Sequence, residues 1–79
     1  MNKRQRFDYW DGHRLRNWRL EKGRPSRELA KTLRVSYPTL MRYESGICPP
    51  IDVAHRIVSV TGGAVRYRDL YPQMLPEYA

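Results

Sequence analysis

The side chains able to do chemistry in this sequence are set out for gripping an anion rather than for breaking bonds. Cys48 is the single cysteine, and the two histidines, His13 and His55, stand far from it and from each other, with no zinc-ligand spacing. No nucleophile stands at a usable interval from a base, and no carboxylates are paired for acid–base work. No catalytic residue, metal or cofactor is therefore expected, and the chain does not read as an enzyme. What it has in excess is cationic donors. Lysine and arginine number 15 against 8 aspartates and glutamates, for a net charge of +7 and a pI near 10.1. An excess of this size in a small domain favours a polyanionic partner, nucleic acid first and an acidic membrane second.

The stretch that could turn this charge into recognition is Ser26-Arg27-Glu28-Leu29-Ala30-Lys31-Thr32-Leu33-Arg34-Val35-Ser36-Tyr37-Pro38-Thr39-Leu40-Met41-Arg42-Tyr43-Glu44-Ser45-Gly46. It reads as two short helices joined by a three-residue turn, Arg34-Val35-Ser36. Ala30 is small enough to let the helices cross closely, and Val35 and Leu40 fill the angle between them. So short a turn leaves the second helix proud of the domain, with its first turn and outer face exposed. A helix presented in that way fits the major groove of DNA.

The elements around this pair must position it. Asp11 is the expected N-cap of a first helix, with Leu15 and Trp18 inward, Arg19 beside them, and Gly23 as the left-handed stop. The second helix opens around Pro25 and Ser26 and buries Leu29, Ala30 and Leu33. Ser36 caps the third, which runs from Tyr37 to about Ser45 with Leu40 and Tyr43 inward, and Gly46 ends it. After the loop Ile47 to Pro50, a fourth helix begins near Ile51, with Asp52 in its first turn and Val53, Ala54, Ile57, Val58 and Val60 at helical spacing. Gly62-Gly63 stops it. Val65 to Leu70 is expected to form a short helix in preference to an edge strand. The fold class is thus all-α, a compact bundle of about five short helices. Residues 1–10 form a basic and aromatic arm, 11–71 the domain and 72–79 a tail. Phe7, Tyr9 and Trp10 are expected to close the end of the core. A lone thiol fits a reducing compartment, and no apolar run nears the roughly 18 residues a membrane helix needs. With no export signal apparent, a cytoplasmic location is expected.

These residues resemble the Cro and phage-repressor helix-turn-helix family, also called the xenobiotic-response-element class. The marks are Leu15…Arg19…Gly23, Glu28-Leu29-Ala30, Val35-Ser36 and Tyr43-Glu44-Ser45-Gly46, in that order and spacing. The resemblance covers about Gly12 to Tyr71, and Val60-Thr61-Gly62-Gly63-Ala64-Val65…Asp69-Leu70 is similar to the Cro-like and YdaS-like branch. It implies a lambda-repressor-like domain that binds a near-palindromic operator in double-stranded DNA as a homodimer and represses transcription. By position it assigns base contacts to Tyr37, Pro38, Thr39 and Arg42, with Arg42 suited to guanine through its two-pronged donors. It assigns phosphate contacts to Ser26, Arg27, Arg34, Ser36 and Ser45, and a structural ion pair to Arg19 and Glu44. Arg34 departs from the family's usual glycine, and Pro25 from its usual threonine or serine. The same fold could instead serve an antitoxin that holds a cognate toxin, and an RNA-binding or protein-docking module is a more distant alternative.

Overall fold

The computed structural model describes residues 9–72; the arm before Tyr9, including Phe7, and the tail beyond Pro72 lie outside the described residues. Five helices follow one another: α1 (His13–Glu21), α2 (Ser26–Leu33), α3 (Tyr37–Glu44), α4 (Ile51–Val60) and α5 (Tyr67–Leu70). Among the described residues there is no strand, and the single bridge pairs Tyr9 with Ile47 in antiparallel sense.

Each helix contributes its apolar stripe to one core. Leu15, Leu29, Leu33, Leu40, Ile57, Val65 and Leu70 are wholly buried, and Trp10, Trp18, Ala30, Tyr43, Val53 and Ala54 complete the cluster. Apart from Trp10 and Val65, which lie outside the helices, these are the inward positions that helical periodicity selects. Burying a leucine or isoleucine side chain is worth about 1.5–3 kcal/mol, so this cluster is the main force holding the helices at their angles. The segment after α4 takes the helical alternative: Val65 is buried, and a short α5 follows it. Thr61 makes the junction by donating its hydroxyl to the Ile57 carbonyl at 2.8 Å and accepting the Val65 amide at 3.1 Å. Asp69 then accepts the Arg66 amide at 2.8 Å and lies 3.5 Å from Arg14 of α1.

Asp11 caps α1 as expected: its side chain accepts the His13 amide at 3.2 Å across Gly12, which stands at the N-cap position with helical φ −62° and ψ −17° and has no side chain to cap with. A Cβ on Gly12 would collide with the backbone carbonyls of Tyr43 and Glu44, so α1 starts hard against the end of α3. One local expectation is corrected, because the aromatics before α1 divide. Trp10 is buried and donates its indole N–H to the Ile47 carbonyl at 3.1 Å, whereas Tyr9 remains 47% exposed. Neighbouring residues of an extended segment point to opposite sides, so pairing with Ile47 can bury only one of the two.

Candidate nucleic-acid interface

The turn between α2 and α3 is a Schellman closure. The Arg34 amide donates to the Lys31 carbonyl and the Val35 amide to the Ala30 carbonyl, each at 3.0 Å, and Arg34 takes the left-handed conformation at φ 62°, ψ 42°. An arginine therefore fills the position where glycine is usual, at a cost of about 1–2 kcal/mol for an L-residue. Ser36 starts α3: its hydroxyl accepts the Thr39 amide at 3.2 Å and donates to the Thr39 hydroxyl at 2.8 Å. Pro38 falls in the first turn, where no amide is needed.

With both ends of α3 set, its sides separate cleanly. Leu40, Tyr43 and Glu44 are buried. Tyr37, Pro38 and Arg42 are exposed, and Thr39 is half-buried beside them. The Arg42 guanidinium has neither a hydrogen bond nor a salt bridge among the described residues. Thr39 receives the Ser36 proton, so its own proton is free to be donated outward. The assigned base-contact residues thus share the first turns and outer side of one helix.

The inner side is braced by the Arg19–Glu44 pair. Arg19 reaches from α1, donating from Nε to Glu44 Oε2 at 2.7 Å and from Nη2 to Oε1 at 3.0 Å. The side chains are only 12% and 4% exposed. This fork-to-fork geometry is the strong form of the arginine–carboxylate bond. The hydrogen bond to Glu44 holds the Arg19 guanidinium above its ordinary pKa, against the opposing effect of burial. Among the described residues no buried polar side-chain atom lacks a partner.

The residues assigned to phosphate are more dispersed. Ser26 and Arg27 open α2, whose N-cap is Pro25 and carries no side-chain acceptor. The first-turn amides are left for water or an anion, although Glu28 adds a negative charge to the same turn. Arg34 lies elsewhere, lining an open cleft of about 440 Å³ with Thr32 and, from α4, His55, Arg56, Ser59 and Val60. Ser36 is engaged as a cap, and Ser45 donates its hydroxyl to the Arg42 carbonyl at 2.8 Å, so either would reach a phosphate only by giving up that bond. One contact has no counterpart in the sequence reading: the central carbon of the Arg27 guanidinium lies over the Tyr37 ring, 4.7 Å from its centre. The two lie on opposite sides of the turn, and only the crossing of α2 and α3 brings them together.

Among the described residues no group of three histidines, cysteines or acids could hold a metal, and no helix is long and apolar enough to cross a membrane. A family model for the helix-turn-helix domain matches residues 12–69. No curated protein and no solved structure matches the chain.

Proposed function

Because this chain belongs to the helix-turn-helix domain family, of the Cro and repressor type, we propose that it binds a near-palindromic operator as a homodimer and represses transcription by occluding a promoter. Helix-turn-helix domains bind DNA and regulate transcription by placing their second helix in the major groove. In this chain that recognition helix is α3.

The observation that carries the reading is the division of α3 into a buried, braced side and an outer side ending in a guanidinium with no hydrogen bond or salt bridge among the described residues. Arg42 reads guanine through its fork, and Thr39 donates to a base acceptor. Tyr37 and Pro38 offer apolar contact to a thymine methyl. Ser26 and Arg27 meet the phosphates that set the register, and Arg34 meets one at the flank. One recognition helix reads only a few base pairs, so two copies related by a two-fold axis read half-sites about one helical turn, roughly 34 Å, apart. The outward residues of the segment from Val65 to Tyr71, Tyr67 among them, supply the contact between copies, since Val65 and Leu70 are spent on the core. On this reading the chain is a small phage or prophage regulator of the Cro-like or YdaS-like branch, a placement supported by the run Val60-Thr61-Gly62-Gly63-Ala64-Val65 with Asp69-Leu70.

Footprinting on the DNA upstream of the chain's own gene, with a binding-site selection in parallel, tests the proposal. A protected near-palindrome that also emerges from the selection is the expected result. Selection of no sequence from duplex DNA, or a monomer bound to a single half-site at saturation, overturns it.

A further inference from the structure

Arg27 belongs to α2, apart from the outward residues of α3, yet its guanidinium lies over the ring that opens α3. Both residues are exposed, and neither side chain has a hydrogen bond or salt bridge among the described residues. A guanidinium is planar, so its face can lie on an aromatic ring while its N–H donors point outward in the plane. Stacking and hydrogen bonding therefore do not compete: the face takes the ring and the edge remains for an oxyanion. The Ser36 cap holds the first turn of α3, but it bonds Thr39 and leaves the Tyr37 ring to be oriented by other contacts.

Resting on the DNA-binding reading above, we infer that Arg27 is a specificity-determining positioning residue. It holds the Tyr37 ring against one base edge while its own N–H edge meets the neighbouring phosphate. Backbone register and base choice are then coupled through one stacked pair. A lone phosphate grip would add affinity to every sequence equally; a stacked one also affects which base is accepted.

Arg27→Lys separates the two roles, because lysine keeps the charge and loses the planar face. The stack itself is measured first by NMR on the free chain. Ring current from Tyr37 shifts the Arg27 δ-methylene protons upfield, and Tyr37→Ala abolishes the shift. Binding-site selection at two salt concentrations then compares wild type, Arg27→Lys, Arg27→Ala and Tyr37→Ala. Arg27→Lys and Tyr37→Ala are expected to flatten the same base position. Arg27→Lys weakens the preferred site by about two- to fivefold, the scale of an exposed cation–π contact. Its salt slope stays at the wild-type value, whereas Arg27→Ala also lowers it by about one unit. Full base preference in Arg27→Lys reduces Arg27 to a phosphate grip and overturns the inference, as does an absent ring-current shift. A wild-type chain that shows the shift but selects no sequence overturns the DNA reading, and the inference with it, while leaving the stack in place.

Discussion

The inner and outer sides of α3 use the same kind of charge for opposite ends. On the inner side Arg19 is 12% exposed and its guanidinium is matched by two bonds to Glu44. On the outer side Arg42 is exposed, Arg27 lies over the Tyr37 ring, and neither guanidinium has a hydrogen bond or salt bridge among the described residues. A guanidinium taken from water with its fork on a buried carboxylate is committed to holding the fold. One left in water keeps its donors for a partner. The net charge of +7 therefore says little until each arginine is placed.

Breaking the inner side should give the largest effect. Arg19→Ala leaves the Glu44 carboxylate buried without its partner, a loss of about 3–5 kcal/mol. Thermal melting should fall sharply, and DNA binding should weaken because α3 loses its brace. A double variant, Arg19→Met with Glu44→Leu, should recover much of the stability, since apolar residues of similar volume remove the stranded charge. A single variant that melts like wild type would mean that the brace contributes little, and the contrast between the two sides would lose its energetic basis.

Next comes Gly12→Ala, which attacks the same seam from the backbone. The added methyl would strike the Tyr43 and Glu44 carbonyls, which cannot swing aside as a flexible side chain could. Overpacking of this kind costs about 1–3 kcal/mol, and contact with backbone argues for the upper part of that range. Its φ of −62° is ordinary, so the loss is purely steric. Urea unfolding measures it, and an unchanged midpoint would show that α1 can move off α3.

That glycine marks where the sequence stops being legible. Helical spacing located the buried leucines, Ser36 announced the start of α3, and family-like spacing brought Arg19 to Glu44, because those features are local or carried by recurring pairs. The approach of Gly12 to the end of α3 depends on how helices distant in sequence pack. So does the Arg27–Tyr37 stack, whose two members carry no shared periodicity. The outward placement of Tyr9 was missed for a related reason: composition grouped it with Trp10, and only the bridge to Ile47 separates them.

Arg42→Ala tests the outer side and should leave stability nearly unchanged, since the guanidinium makes no hydrogen bond or salt bridge among the described residues. Its effect should fall on recognition, at about 1–3 kcal/mol for a lost bidentate base contact, with one position of each half-site relaxed. Binding-site selection together with a melting curve separates the two readouts. A variant that melts early but selects normally would place Arg42 with the inner set instead.

The smallest overall effect is expected at Arg34, which belongs to neither side of α3 but sets the angle at which it leaves α2. Its left-handed φ of 62° carries the strain of an L-residue, and Arg34→Gly would relieve it. Glycine also gains freedom in the unfolded chain, which works against the folded state. The two contributions nearly cancel, so urea unfolding should move by no more than roughly 1 kcal/mol in either direction. The Schellman bonds from residues 34 and 35 are backbone bonds and survive the change, so α3 should keep its angle and its base preference. What goes is the cation facing His55 and Arg56 across the cleft. If that cation meets a flanking phosphate, the variant weakens binding to all sequences alike and lowers the salt slope by about one unit. A changed base preference would show instead that the turn itself tunes how α3 enters the groove. The outer side would then depend on backbone geometry as much as on its arginines.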